Sequence, residues 1–391
     1  MDRRRFISGS TLAAAGWLTI SPARAFAASF ARAGYPDREN RLYDIFSDPS
    51  SGYRPFVRWW WNGNKVEKGE LIRELHLLKE AGIGGVEINP VAFPSRSDGD
   101  DLGKPSVRWL SEEWCSMLKV VFAEAKRLDM TCDLIVGSGW PFGAEDIAAE
   151  ERSQIVVIAA KKITGPVNYS VSRDEIFTEA EPAISSPWSG RKHSLLSMML
   201  VPDPLSSSDE ITDLSDMIGE EYFNFFVPEG DHALYALVHV SGFMEVINSA
   251  PGASGPVLDH FNEAAVNRYL NRVPDAIEPV TGLLSEHLRA LFTDSMELEG
   301  SNWTEDMREQ FLKRRGYDIF PYLPFVLFRT GAMGNVTDFR YGAEYGTGFL
   351  DMIRRMRYDF ELTKAELLEE RFLKSFARWC RELGVISDRK S

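Results

Sequence analysis

Leu291-Phe292-Thr293-Asp294-Ser295-Met296-Glu297-Leu298-Glu299-Gly300-Ser301-Asn302-Trp303 is the stretch on which the fold turns. It begins apolar, as a buried strand does, and ends in acids, a glycine and an Asn-Trp pair. Thr304 follows as a candidate N-cap, with Glu305 and Asp306 in the first turn, where the helix dipole favours negative charge. The acids therefore stand where a strand hands over to a helix. In a parallel β/α fold that junction is the catalytic edge. The competing interpretation is a solvated acidic loop.

The same hand-over recurs upstream. Pro55 to Trp61 reads as a strand ending at Asn62-Gly63-Asn64, and the helix after it keeps Leu71, Leu75 and Leu78 on one face. Gly85 to Pro90 is a short strand in which Glu87 and Asn89 alternate with apolar residues. A buried Glu is costly unless it faces a polar mouth, so both are expected to point into a site; the alternative is an edge strand with Glu87 in solvent. Ser111 starts a second helix, and Thr131 to Val136 is the next strand. It runs into Gly137-Ser138-Gly139-Trp140-Pro141-Phe142-Gly143, where the glycines are expected to let backbone approach a ligand closely.

Residues 150–250 lose helical periodicity and carry short β-like runs, so they read as a β-rich insertion. Strand and helix resume with Pro256 to Phe261 and a helix from Asn262 to about Thr281, interrupted at Pro274. The pattern from Tyr345 to Leu383 is helical but too long for one uninterrupted helix, so a break is expected inside it. Val385-Ile386-Ser387 begins a further strand. The count is five completed strand–helix steps and the start of a sixth, where a closed barrel needs eight. The fold class expected is α/β, a (β/α)8 TIM-barrel-type catalytic domain cut off before closure. Residues 28–149 would be its first half, 150–250 the insertion and 251–391 the continuation.

Composition narrows the partners. The chain has 391 residues, 44% hydrophobic and 26% charged, with a formal net charge of -14. That balance argues against nucleic acid and anionic membrane surfaces. Cys115, Cys132 and Cys380 are odd in number and fit neither a zinc site nor a disulfide framework. Arg3-Arg4-Arg5-Phe6-Ile7, a short apolar run and small residues before Ala27 resemble a twin-arginine export signal spanning residues 1–27. Periplasmic or extracellular localisation follows, with no membrane association after cleavage.

These motifs together resemble glycoside hydrolase family 106, the bacterial α-L-rhamnosidase family. The similar stretches are Arg54 to Asn64, Ala81 to Glu87, Gly137 to Gly143, Gly255 to Phe261, Asp294-Ser295-Met296-Glu297, and Arg314 to Asp318 after Asn302-Trp303. They run in family order. The resemblance implies an N-terminal barrel followed by β-sandwich domains, inverting hydrolysis of terminal α-L-rhamnose from a rhamnose-containing glycoside or polysaccharide, and calcium assistance in characterised members. Family chains are longer, and the resemblance places their second catalytic carboxylate on strands beyond Ile386.

Glycoside hydrolysis needs two carboxyl groups, about 6.5–9.5 Å apart in inverting enzymes. Glu297 is the first candidate, Glu299 the fallback, and Glu87 the internal candidate for the partner. Asp294 orients or binds. Glu87, Asn89 and Asp259 line the sugar pocket or a calcium, whose ligands are hard oxygens. Asn62 and Asn302 are further candidates for substrate contact. Trp140 and Trp303 are expected either to stack on sugar or to pack in the core, and His260 either to bond a hydroxyl or to serve the structure. The alternatives to a rhamnosidase are a non-catalytic carbohydrate-binding remnant and a barrel glycosidase for another sugar. The 391-residue chain alone is expected to lack significant rhamnosidase turnover.

If the arginine pair is an export signal, Arg3→Lys combined with Arg4→Lys leaves the precursor in the cytoplasm on cell fractionation. Normal secretion of that double variant overturns the assignment.

Overall fold

A computed structural model describes residues 37–94, 103–181 and 184–389. The export motif lies outside them. The chain divides into two compact units, residues 1–54 and 55–391. In the first, Asp37–Ser47 forms a helix, α1, where the sequence reads as an irregular lead-in. Arg54 Nε donates to Pro49 O at 2.9 Å.

The second unit opens with β1 (Phe56–Asn62), α2 (Lys68–Glu80), β2 (Gly85–Val91), α3 (Glu112–Arg127) and β3 (Thr131–Ile135). The Ser111 side chain caps α3 by accepting from Trp114 N, which satisfies one of the orphan amides of the first turn. An antiparallel section follows: β4 (Gln154–Ser172), the short α4 (Arg173–Glu179), β5 (Lys192–Pro202), β6 (Thr212–Asp213) and β7 (Tyr222–Ser241). The chain then returns with α5 (Glu263–Thr281), β8 (Leu288–Thr293), α6 (Met307–Arg315) and α7 (Leu323–Val326). The ribbon β9 (Arg329–Thr330) and β10 (Val336–Asp338) precedes α8 (Thr347–Leu368), α9 (Lys374–Glu382) and β11 (Ile386–Arg389).

The architecture is mixed α/β. One sheet is wholly parallel, in the order β1-β2-β3-β8-β11; the other is antiparallel, in the order β4-β7-β5-β6. Alternation along the parallel strands separates two faces. Trp59, Trp61, Val86, Ile88, Cys132, Leu134 and Leu291 are buried in one apolar cluster with Leu71, Leu75, Trp114, Leu118 and Val266 of the helices. In the pairing register Arg58 stands opposite Glu87, Glu87 opposite Asp133 and Trp60 opposite Asn89. The second face of the sheet is therefore polar. Asp133 on that face is fully buried, and its carboxylate accepts from Arg289 Nε at 3.0 Å and Ala290 N at 3.1 Å. These donors, together with Arg289 Nη2 on the other oxygen, meet the cost of burying the charge.

The antiparallel sheet is buried on both faces. Val156, Ile158, Tyr235 and Leu237 pack with Phe311, Phe325 and Phe360 from the later helices. Ile155, Leu234, Ala236 and Val238 pack with Ile176 of α4. That double burial explains the near-continuous apolar run of β7, which lacks simple alternation.

Several expectations change. Pro256–Phe261 does not join the parallel sheet. It makes isolated antiparallel bridges, Val257 to Gly143 and Leu258 to Arg152, because its amides are taken by Phe142 O and Glu151 O. The parallel sheet thus has five strands among the described residues. The helix after it runs through Pro274 and Pro279 without interruption. Thr304 is not an N-cap: α6 starts after Asp306, and the Thr304 hydroxyl instead donates to Asp259 Oδ2 at 2.7 Å. The break expected in the long C-terminal helix falls at Glu369–Leu373, a π segment between α8 and α9.

Two ties between distant segments carry testable stability. The Asn302 side chain accepts from Val156 N at 2.7 Å and donates to Val156 O at 3.0 Å. Asn302→Ala strips both backbone groups of their buried partners and is expected to cost roughly 1–3 kcal/mol, read as a lowered urea midpoint at unchanged slope. Asp259 is fully buried, and burial pushes its carboxyl from 3.8 up to about 7, against hydrogen bonds from Thr304 and Phe261 that lower it. Between those values the folded chain holds a proton that the unfolded chain has released. Its stabilising contribution is therefore complete below about pH 4 and is lost as pH rises through 7. Urea melts across that window should show the decline in wild type and a flatter profile in Asp259→Asn. Identical profiles would refute the assignment.

Candidate active site

The polar face of the parallel sheet gathers charge at the strand ends. Arg58, inside the Trp-rich β1, donates Nη1 to Asp294 Oδ2 at 2.7 Å, and its Nε lies 3.5 Å from Glu87 Oε2. Asn89 Nδ2 donates to the same Asp294 oxygen at 3.3 Å. Asp294 Oδ1 accepts from Ser295 N at 3.0 Å, which turns the chain immediately after β8. One guanidinium thus spans acids from two strands. The three side chains are only 28% (Arg58), 12% (Glu87) and 14% (Asp294) exposed, so the attraction is weakly screened. Asn89 is buried, and its Oδ1 has no partner among the described residues. A buried acceptor left open in this way is suited to an incoming donor such as a sugar hydroxyl.

Glu297 stands farther along the same loop and is half-buried. Trp140 Nε1 donates to its Oε2 at 3.1 Å. Trp140 is fixed in turn by a reciprocal backbone pair with Ile247, at 3.1 and 2.9 Å. The indole therefore orients the carboxylate, whose other oxygen has no hydrogen-bond partner among the described residues. Phe93 lies edge-on to Trp140, with ring centroids 6.4 Å apart, and to Trp60 at 4.9 Å. Trp60 is 55% exposed. An aromatic row thus borders the acids, with flat apolar faces of the kind that pack against a pyranose ring. Asn62, at the end of β1, accepts from Phe93 N at 3.0 Å, so it positions this row.

Other sequence candidates fall outside this group. Glu299 is 3% exposed, with φ +46°, and its Oε2 accepts from Ser185 N at 2.6 Å. It ties the loop to a distant segment. Asn302 pairs with Val156, and Trp303 is buried in the cluster shared by the antiparallel sheet and later helices. Trp303 is therefore packing, the plainer of its two readings. His260 is buried; its Nδ1 contacts Leu258 O at 2.8 Å, and burial pushes its pKa down to about 4. Its Nε2 is buried with no partner among the described residues. Asp259 belongs to the Thr304 tie. Gly139 and Gly143 serve close approach to protein backbone, while Gly137 makes room for the Phe142 ring. A Cβ at Gly139, where φ is +72°, would lie 2.3 Å from Ile247 O, and one at Gly143 would lie 2.3 Å from Pro256 O.

Sequence reasoning missed Arg58, Trp60 and Phe93. The parity of β1 carried a signal for two of them: Arg58 and Trp60 share a face with Asn62, while Trp59 and Trp61 take the other. Cavities lie elsewhere: one of about 500 Å³ between the start of α5 and residues 304–306, one of about 450 Å³ against α4 and one of about 390 Å³ beside α8. The strand ends remain the better candidate because acids, an arginine and an open buried acceptor converge there.

A curated protein of Formosa agariphila, named "Putative beta-glucuronidase", is 22% identical over 371 residues, covering 87% of this chain and 30% of that protein. A solved rhamnosidase from Novosphingobium sp. PP1Y matches with a TM-score of 0.58 at 16% identity, covering 89% of this chain and 47% of that one. The chain therefore spans less than half the length of either, and the second likeness is one of fold. The family model described as alpha-L-rhamnosidase matches residues 183–378, half of the chain. The chain belongs to glycoside hydrolase family 106, the α-L-rhamnosidase family.

Proposed function

We propose that this protein is an α-L-rhamnosidase that cleaves terminal rhamnosyl residues with inversion, and that Glu297 supplies one of its two catalytic carboxyl groups. The observation that carries the proposal is the Trp140–Glu297 hydrogen bond of 3.1 Å beside an aromatic row at the ends of parallel strands. A carboxyl group fixed on one oxygen and open on the other can move a proton at the glycosidic oxygen or at the attacking water. Glu87 is the internal candidate for the second group. The positive charge of Arg58 offsets the repulsion between Glu87 and Asp294, so two acids can share a site that must receive the developing positive charge of an oxocarbenium-like sugar. Asn89 Oδ1 accepts a hydroxyl. On this reading the five parallel strands are part of a (β/α)8 barrel, and the antiparallel section is an insertion in it.

Calcium is the cofactor that the family resemblance implies. Among the described residues no group of three or more His, Cys, Asp and Glu is arranged to hold a metal ion. Arg58 already occupies the position between Glu87 and Asp294 where a cation would balance them. These residues do not by themselves fit the ion, and no step is assigned to it. Export through the twin-arginine motif belongs to the same proposal. No helix among the described residues is long and apolar enough to cross a membrane.

The test is release of p-nitrophenol from a panel of aryl glycosides by the purified protein; robust turnover by the 391-residue chain would overturn the expectation that it lacks activity and make Glu87 the second carboxyl group. The α-L-rhamnoside is the expected substrate; preference for the β-D-glucuronide would assign the specificity named for the Formosa protein instead. Glu297→Gln is expected to lower kcat by about 10²–10⁴. Trp140→Phe should lower kcat by about tenfold with little change in KM, since it removes orientation rather than the proton carrier. Undiminished turnover in Glu297→Gln would end its claim.

A further inference from the structure

A concentration of positive charge stands apart from the acidic strand ends. A cavity of about 390 Å³ lies between one face of α8 and the segment around the β9–β10 ribbon. From α8 come Arg354 and Arg357, with Leu350 beneath them, at the i, i+4, i+7 spacing of a single helix face. Phe328, Phe339 and Arg340 face them from the ribbon side. Glu344 is the only acid among the lining residues, against three arginines. In a chain of net charge -14 this is a local reversal of sign.

Each arginine keeps donor capacity or charge to spare. Arg357 Nε donates to Val326 O at 2.6 Å and Nη2 to Phe325 O at 3.2 Å, while its guanidinium lies 3.6 Å from the centroid of the Phe328 ring. These partners orient the group but carry no formal charge, and burial holds its pKa below the ordinary arginine value. Arg354 shares a 3.3 Å contact with Asp351, and both side chains are more than 60% exposed; such a pair contributes little. Arg340 makes no ion pair among the described residues. Phe339, 68% exposed, meets Phe328 at a centroid separation of 5.0 Å. The cavity therefore combines forked cationic donors with an open aromatic face. That combination matches a planar or tetrahedral oxyanion carried on a ring.

The ribbon also reaches the acid loop. Its tip packs so closely there that a Cβ at Gly334 would lie 2.7 Å from Gly300 N. We propose that this arginine cavity binds the anionic group of an acidic saccharide unit, a uronate carboxylate or a sugar sulfate. That the ligand is a saccharide rests on the glycosidase reading; that it is anionic rests on the arginines alone.

Calorimetric titration of the full chain tests this with four probes: methyl β-D-glucuronide, glucose 6-sulfate, methyl α-L-rhamnoside and inorganic sulfate. One or both anionic sugars should bind at millimolar or lower concentration, more weakly as salt rises. Arg340→Gln with Arg354→Gln should weaken that binding at least tenfold, while the corresponding Lys double variant retains part of it. Both substituted side chains are exposed, and an unchanged thermal melt confirms that the fold is intact. Which anionic sugar binds tighter identifies the source of the charge. Absence of binding by both, equal affinity in the Gln double variant, equal binding of the neutral rhamnoside, or inorganic sulfate binding as tightly as either sugar would each overturn the proposal. The readout is binding, so an inactive Glu297 site with an intact arginine cavity, or the reverse, separates failure of this inference from failure of the proposed activity.

Discussion

The acid loop is only as well placed as its two ends, and one side-chain amide fixes the far end. Asn302 bonds both backbone groups of Val156, on β4, the outermost strand of the antiparallel sheet. It imitates a neighbouring strand at an otherwise open edge. Its neighbours continue the imitation: the Ser301 hydroxyl donates to Gln154 O at 3.0 Å, and the Trp303 backbone bridges to Gln154. Unpaired edges invite foreign strands, so the same contact closes a hazard and anchors a functional segment. At the near end Arg58 holds Asp294. Glu297 hangs between these two fixed points.

This arrangement makes the antiparallel sheet part of the framework of the site. A loop of ten residues from Asp294 to Trp303 would sample many conformations if left free, and ordering it opposes folding by roughly 1–2 kcal/mol per residue. Contacts to two different sheets offset that cost. Glu299, held by Ser185, adds a third anchor within the loop. The left-handed backbone at Glu299 and Gly300, with φ of +46° and +85°, reverses the chain so that one short segment reaches both sheets.

The legible parts of the sequence were those governed by local periodicity. The strands at Phe56, Gly85, Thr131 and Leu288 and the Ser111 cap follow from alternation, helical spacing and capping chemistry. Pro256–Phe261 has the same local pattern as those strands, yet its amides find partners in residues 142 and 151, far away in sequence. No local rule carries that information. Site residues divided along the same line. Glu87 and Asn89 were expected on a polar face because a polar residue within a buried strand needs a reason, and the register places both there. The clamp that Asn302 makes across 146 positions is invisible without the fold. Arg58 was hidden in the opposite way, inside a run of tryptophans that looks uniformly apolar.

The π segment at residues 369–373 has a structural meaning beyond a break in a helix. An extra residue in one turn rotates everything after it by about 100° relative to an uninterrupted α-helix. Before it, Phe349, Ile353, Phe360 and Leu367 enter the apolar cluster of the antiparallel sheet; within and after it, Phe372, Phe376 and Trp379 enter that of the parallel sheet. Arg371, inside the segment, forks onto Asp306 and reaches Phe261 O. One helical rod thus works as a swivel-jointed axle, gripping two cores on different sides of its circumference. Melting either core loosens the grip on the other, so the two sheets are expected to share one cooperative transition and not to come apart as separate modules.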